Sequence, residues 1–264
     1  MTNSNPIITL MTDFGLRDHY VAAMKGVMLG MCPAARIVDV THEVSSYEVA
    51  EAAFLLSQTW PAFPRKTIHV VVVDPGVGSM RRPILAEVDG HRFVAPDNGV
   101  LTPILTREGC KVRHITEEKF FRQPVSQTFH GRDIFAPIAG KLATGTPASK
   151  VGPLIENYLR LTMDRPARTA RRGWTGLILH VDHFGNIVTN IPIADFPHIL
   201  EKPFEVAIGF RLVEKLARSY AEMPAGEVFA IVGSSGYLEI AANQASAAKI
   251  LGCETGAPVE LRLL

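Results

Sequence analysis

The sequence predicts an α/β N-terminal domain, a mostly parallel sheet flanked by helices, followed by a smaller all-β barrel domain. Three observations predict it. Strand-like and helix-like patterns alternate through the first 73 residues, as in a parallel, doubly wound sheet. Four consecutive valines, Val70–Val73, read as a strand buried on both faces. From Gly176 onward only short β-type runs remain, separated by Gly, Pro, Asn or Ser, which is the pattern of a small barrel or sandwich.

Ile7–Met11 is the first strand and ends in the polar turn Thr12-Asp13-Phe14-Gly15. Val21, Met24, Val27, Met28 and Met31 then repeat at helical spacing, with Asp18 as candidate cap and Pro33 as stop. Arg36–Thr41 is the next strand. Ser45-Ser46-Tyr47-Glu48 offers a capping box for a helix Val49–Thr59, which Pro61 and Pro64 terminate. Thr67–Val73 closes the series and breaks into Asp74-Pro75-Gly76-Val77-Gly78, then Arg81-Arg82. The Pro and two Gly let backbone approach whatever lies beyond the strand's carboxyl end, where open α/β sheets bind ligands. A carboxylate and two guanidinium groups are thus directed to one candidate site.

Ile84–Val88 and His91–Ala95 flank Asp89-Gly90, a type I′ hairpin signal. Leu101–Leu105 reads as a short helix and Lys111–Ile115 as a strand. Thr128–Asp133 is a polar cluster opening an apolar helix, Ile134–Leu142. Met163–Gly173, rich in Pro, Arg and Ala without periodicity, reads as a linker, giving domains 1–165 and 174–264. Strands are expected at Gly176–Val181, Ile187–Ile191, Phe204–Phe210, Glu227–Val232, Tyr237–Ala241 and Pro258–Leu263.

Composition sets limits. The chain has 264 residues, 47% of them hydrophobic, and a formal net charge of +1. That is enough to bury a substantial core, and no overall field favours nucleic acid or an anionic membrane. Cys32, Cys110 and Cys253 fit neither a zinc nor a redox pattern and read as core thiols in a reducing cytoplasm. The first residues lack the basic and long apolar regions of a signal peptide, and no run approaches the roughly 20 apolar residues of a membrane span. The histidines show no metal-ligand spacing, and neither a dinucleotide fingerprint nor a Walker motif occurs. A cytoplasmic protein that holds no metal is expected.

Four constellations could carry chemistry. Asp13 could accept both hydroxyls of a ribose diol, or cap its own strand-end turn. Asp74, Arg81 and His130 could handle a proton at neutral pH; alternatively an Asp–Arg pair pins a loop while His130 caps the next helix. In Asp182-His183-Phe184-Gly185-Asn186, the Phe184 ring could stack on a planar ring and Asn186 could read an adenine edge, with Asp182 holding an ammonium. The other reading is a simple β-turn. Gly233-Ser234-Ser235-Gly236-Tyr237, followed by Asn243, offers exposed N–H groups suited to a carboxylate or a purine edge, as do many inter-strand turns.

Taken together, TDFGLRDHYVAAMKG (Thr12–Gly26), VDPGVGSMRRP (Val73–Pro83), TFHGRD (Thr128–Asp133), VDHFGNIVTN (Val181–Asn190) and GSSGYLEIAANQASAA (Gly233–Ala248) resemble the S-adenosyl-L-methionine hydroxide adenosyltransferases, relatives of fluorinating and chlorinating enzymes. The resemblance implies an N-terminal α/β domain, a C-terminal β-barrel, and a homotrimer with sites between neighbouring subunits. It implies conversion of S-adenosylmethionine and water to adenosine and L-methionine, with S-adenosylmethionine as substrate and no cofactor. By the same resemblance Asp74, Arg81 and His130 activate water, and Asp13 holds the ribose hydroxyls. Phe184 and Asn186 hold adenine, Asp182 the methionine ammonium, and Ser234 and Ser235 its carboxylate. Asp18, Tyr47 and Asn243 complete the implied substrate-binding set. Halogenating members carry Tyr in place of Asp74 and Thr in place of Val77, which favours water here. Fluorinase-like members have Arg where this chain has Ser235, so the carboxylate grip differs. A halide adenosyltransferase and a non-catalytic adenosine sensor are the alternative readings.

Overall fold

A computed structural model describes residues 5–162 and 165–264. The chain divides into two compact units, Met1–Thr162 and Met163–Leu264.

In the first unit the order is β1 (Ile7–Thr12), α1 (Tyr20–Met31), β2 (Arg36–Thr41), α2 (Val49–Thr59), β3 (Ile68–Val72), β4 (Pro83–Val88), β5 (His91–Pro96), α3 (Thr102–Leu105), β6 (Lys111–His114), α4 (Ala136–Ala143) and β7 (Leu154–Ile155). One seven-stranded sheet runs β2-β1-β3-β5-β4-β6-β7. Alternate residues of its strands feed two cores. Ile8, Leu10, Val70, Val72 and Leu85 pack with α1 and α4 residues such as Met24, Met28 and Ile138. Met11, Val71, Val73, Ile84 and Ala86 pack with Leu56, Leu101 and Ile104 on the other side. Every residue of β3 is buried, as a strand covered on both faces requires.

The expected mostly parallel sheet is mixed. The β1–β2, β1–β3 and β3–β5 pairings are parallel, whereas β4–β5, β4–β6 and β6–β7 are antiparallel. The cause is the Asp89-Gly90 turn, both residues of which have positive φ, 52° and 81°, so the chain returns as a hairpin instead of crossing over. Both expected helix caps are absent. His19, not Asp18, precedes α1, with no side-chain cap. Glu48 precedes α2, and the Ser45 N–H donates to Glu51, at 2.8 Å, where the box would use Glu48. The helix expected from Ile134 begins earlier, as a π turn over Gly131–Phe135 that continues into α4.

Among its described residues the second unit is all-β apart from one short helix and 3-10 turns. It comprises β8 (Ala167–Ala170), β9 (Gly173–Val181), β10 (Ile187–Pro192), β11 (Phe204–Ile208), β12 (Arg211–Val213), β13 (Leu216–Ala217), β14 (Val228–Val232), β15 (Tyr237–Ala242), α5 (Ala247–Leu251) and β16 (Pro258–Leu263). The sheet runs β12-β11-β16-β9-β10-β15-β14-β13, with β8 on β9. Strand β12 also lies against β14, so the sheet curls over a core containing Ile178, Val206, Leu238, Ile240 and Val259. Of the expected linker, Met163 and Asp164 lie outside the described residues, while Ala167–Ala170 forms β8, antiparallel to β9.

Candidate active site

Strand order explains where the first site forms. The chain goes from β1 outward to β2, then back past β1 to β3, so the direction of winding reverses between β1 and β3. Ligand crevices in open α/β sheets open beyond the carboxyl ends of strands at such a reversal. Thr12 of β1 pairs with Val72 of β3. Asp13 and Asp74, which follow these strands, therefore emerge side by side. A cavity of about 230 Å³ lies there, lined by Asp13, Phe14, Ser46, Tyr47, Val72, Asp74, Val77, Thr128, Phe129, His130 and Gly131.

Asp74, Arg81 and His130, 56 residues apart in sequence at their extremes, form one hydrogen-bonded chain. Arg81 Nε donates to Asp74 Oδ1 at 2.9 Å and Oδ2 at 2.8 Å, and Arg81 Nη2 donates to Asp74 Oδ2 as well. Nη2 also donates to His130 Nδ1 at 2.8 Å. The Asp74 and Arg81 side chains are 4% and 8% exposed, which makes the pair dry enough for its geometry to be held. The guanidinium sits over the Phe135 ring, 5.2 Å from its centroid, and its Nη1 is buried without a hydrogen-bond partner.

The turn that delivers Arg81 requires glycine at 78, where φ is +77° and a Cβ would lie 2.3 Å from the Gln127 carbonyl oxygen. Arg82 does not join the site. It pairs with Asp97, Nη2 to Oδ2 at 2.6 Å, and with Asn157. The two guanidinium groups expected together thus part, Arg81 to Asp74 and His130 and Arg82 to Asp97 and Asn157.

An arginine nitrogen only donates, so His130 Nδ1 must accept and its proton resides on Nε2. Burial, and then the Arg81 charge, holds the His130 pKa below the ordinary imidazole value, against the opposing pull of Asp74 and Asp133. His130 is a neutral hydrogen-bond donor at physiological pH. Asp13 Oδ2 accepts from the Tyr47 N–H at 3.0 Å. Burial raises the Asp13 pKa, hydrogen bonds from the Tyr47 N–H and its own backbone oppose that, and the Asp74 charge adds to it. Tyr47 thus serves Asp13 through its backbone, at φ 71°. Asp18 is exposed and does not line the cavity.

In the second unit Asp182 organises its own loop. Its Oδ1 accepts from the Phe184 and Asn186 N–H groups at 2.9 and 2.8 Å, and its Oδ2 from Asn186 Nδ2 at 2.9 Å. These contacts are those of the β-turn reading, and the turn leaves Phe184 74% exposed. Ser234 is exposed in the turn between β14 and β15, and Ser235 Oγ reaches Glu239 Oε1 at 3.5 Å. Asn243 donates its side-chain N–H to the Met223 carbonyl at 2.6 Å and so pins the preceding loop. Among the described residues no group of His, Cys, Asp and Glu could hold a metal ion, and no helix is long and apolar enough to cross a membrane.

Comparison with known proteins decides the affiliation. The SAM hydroxide adenosyltransferase N-terminal domain matches residues 8–152 and the C-terminal domain of the same family matches residues 176–260. The chain belongs to the SAM hydroxide adenosyltransferase family. It is an enzyme family, and a (R)-S-adenosyl-L-methionine hydrolase of Salinispora arenicola is 36% identical over 259 residues, 96% of each chain. A fluorinase of Nocardia brasiliensis is less similar, 27% identical with both chains fully covered. A solved structure of a Thermotoga maritima protein superimposes with a TM-score of 0.89 at 36% identity, covering 97% of this chain and 99% of that one.

Among the side chains of this SAM hydroxide adenosyltransferase that sequence did not single out are Phe14, Phe129 and Glu239. Phe14 and Phe129 line the cavity and stand edge-on to each other, 6.1 Å apart. Both lie inside quoted motifs, next to Asp13 and His130, and adjacency to a charged candidate was the available signal. Glu239 is the third: a charged residue inside an otherwise apolar strand run, Leu238-Glu239-Ile240, signals a buried carboxylate.

Proposed function

We propose that the protein hydrolyses (R)-S-adenosyl-L-methionine to adenosine and L-methionine, by attack of water on the ribose C5′. One observation carries this reading: Asp74, Arg81 and His130 form a single buried chain at the rim of a cavity that also holds Asp13. The substrate's sulfonium leaves as a neutral thioether, so no acid is needed for the leaving group and no cofactor is called for. The enzyme must align oxygen, carbon and sulfur, worth about 7–11 kcal/mol, and assist a water whose free pKa is about 15.7.

The hydrogen bonds divide these roles. His130 keeps its proton on Nε2 and offers it to the oxygen of the water, which excludes it as the base. Asp74 retains acceptor capacity beside its contacts to Arg81 and takes the proton as the C5′–O bond forms and the C5′–S bond breaks. The proton then passes to solvent. Arg81 fixes the carboxylate and favours hydroxide-like charge on the attacking oxygen, while Asp13 holds the ribose diol. A carboxylate at 74 repels an incoming halide, which disfavours the halide-transferring alternative.

Within the same proposal residues 1–165 carry the reacting groups, and residues 174–264, as a closed barrel, hold adenine and methionine through Asp182, Phe184, Asn186, Ser234 and Ser235. The protein acts in the cytoplasm as a homotrimer with sites between neighbouring subunits. Supporting this is what each unit carries: the Asp74–Arg81–His130 chain in the first, and the Asp182 loop with the Gly233–Gly236 turn in the second. Incubation with S-adenosylmethionine and chromatography of the products is the test. Adenosine and methionine are expected, and Asp74→Asn should slow their release about 10²-fold or more. Full activity in that variant removes the assignment, and 5′-chloroadenosine formed in chloride replaces the reaction.

A further inference from the structure

We propose that Asp97 and Asn98 are positioning residues for the reaction: they grip both ends of the turn that carries Asp74 and Arg81. The inference rests on the hydrolase reading above, in which Asp74 takes the proton and Arg81 fixes its carboxylate. Neither Asp97 nor Asn98 lines the cavity, so both act through that pair.

The turn has little to hold it from within. Its middle, residues 77–80, is exposed, Met80 most of all. Its internal backbone bonds are short-range: the Val77 N–H donates to the Asp74 carbonyl at 3.2 Å, and the Ser79 N–H to the Gly76 carbonyl at 3.1 Å. A segment with so few buried contacts opens easily. The Asp74–Arg81 bonds tie its base together, but the placement of that base against His130 and the cavity needs support from outside the turn.

That support comes from two adjacent residues in the loop after β5. Asn98 Nδ2 donates at 2.8 Å to the carbonyl of Val73, the residue before Asp74. The Asp97 N–H donates at 2.8 Å to the carbonyl of Arg82, the residue after Arg81. The Asp97 side chain takes Arg82 a second time, Oδ2 accepting from Nε at 3.0 Å and from Nη2 at 2.6 Å. One dipeptide therefore holds the chain where it enters the turn and where it leaves. In this way Arg82, which does not join the site, still helps to place it.

The grip is itself braced. Asp97 is 3% exposed, and its Oδ1 accepts from the Leu159 N–H at 2.8 Å. A buried carboxylate with these donors around it, a guanidinium among them, keeps its geometry firmly. Arg82 Nη1 donates to Asn157 Oδ1 at 3.1 Å. Asn98 Oδ1 accepts from the Val100 N–H at 3.1 Å, which turns the amide so that its donor faces Val73.

Asp97→Asn keeps the shape and removes the charge that binds Arg82, while Asn98→Ala removes the donor to Val73. Adenosine release should show kcat lowered about 10–100-fold in each, with KM for S-adenosylmethionine changed less than about threefold, because a small misplacement of a reacting group costs rate and not binding. Each substitution is then combined with Asp74→Asn. A residue that acts through Asp74 should lower kcat by less than about threefold more once that carboxylate is gone, whereas an unrelated defect multiplies the two losses. Thermal melts verify folding, and Asn98→Ala, at a half-buried position, is decisive if Asp97→Asn fails to fold. An unchanged kcat in a folded variant, a loss carried by KM, losses that multiply, or loss of the fold in both variants overturns the proposal. If the unaltered enzyme leaves S-adenosylmethionine intact, or Asp74→Asn is fully active, the hydrolase reading falls and this one with it; full hydrolysis by the Asp97 and Asn98 variants overturns this one alone.

Discussion

Replacing Arg81 by lysine keeps the charge and removes the fork. Arg81 makes four hydrogen bonds, three to Asp74 and one to His130, from a planar group lying over Phe135. A lysine ammonium is a single point with three donors and cannot span a carboxylate and an imidazole while following the same path. At least the His130 contact and one Asp74 contact are lost. With a charged partner each is worth about 1.5–3 kcal/mol, so about 3–6 kcal/mol of positioning disappears. If that energy is expressed in the transition state, kcat falls about 10²–10⁴-fold while KM stays near its original value. The pH profile gives an independent readout. Protonating His130 at Nδ1 destroys its bond from Arg81 and puts two cations together, so activity is lost as pH falls through a pKa held below the ordinary 6.5. In Arg81→Met, which removes the charge as well, that acid limb should move up toward 6.5. Adenosine release followed by chromatography from pH 4.5 to 8, with thermal melts to verify folding, measures both. A kcat within about threefold of the original in a folded variant, or an acid limb that stays put, refutes the bridging role.

Other outcomes follow from individual contacts. His69 is fully buried between Thr9 Oγ1 and His91 Nδ1, and burial, then the His91 charge, lowers its pKa to about 3. The unfolded chain binds a proton near pH 6.5 that the fold refuses, so stability should be full above pH 6.5 and fall by about 1.4 kcal/mol per pH unit toward pH 3. Urea midpoints at pH 7 and 5 should differ by about 2 kcal/mol from this group, and a His69→Asn variant with the same pH slope would contradict it. Gly78→Ala meets both a left-handed backbone and the Gln127 carbonyl; it should cost about 1–2 kcal/mol or more and reduce kcat by displacing Arg81, whereas an unshifted melting curve would show the turn tolerates a side chain. Asp182→Ala removes three hydrogen bonds; calorimetry should find adenosine binding weakened about tenfold or more, and unchanged affinity would separate the loop from nucleoside recognition.

What the sequence revealed, and what it hid, has a physical pattern. Helix and strand spans that depend on local periodicity, such as Arg36–Thr41 and Val49–Thr59, coincide with β2 and α2. The mixed direction of the first sheet was not legible, because a hairpin signal at Asp89-Gly90 says that two strands are antiparallel without saying which neighbours they join. Short edge strands such as β7, β12 and β13 contain two or three residues each, too few for a period to register. At the site, Asp74 and Arg81 share one turn and could be paired on paper. His130 could not, since 49 residues and several elements separate it from Arg81. Helix caps failed for a related reason: the side chain of Glu51 satisfies the Ser45 N–H, and tertiary position, not spacing, decides which of two glutamates does so.

The charge arrangement answers a difficulty that the chemistry itself poses. In the proposed reaction a guanidinium strong enough to favour hydroxide also repels a sulfonium, so Arg81 would have to act on the water without presenting a bare cation to the substrate. Its three bonds to Asp74 do this: the pair is neutral as a unit, and the remaining contact ends on a neutral imidazole. With Asp13 as carboxylate, the four side chains carry a net charge of about −1, the sign that attracts a cationic substrate and is relieved when a neutral thioether departs. Burial is the main cause of the raised Asp13 pKa and the Asp74 charge adds a smaller part; a sulfonium beside both carboxylates would offset that repulsion. Neutralising Asp13 should accordingly weaken the charged substrate more than the uncharged product adenosine, a distinction that a diol-binding role alone would not produce.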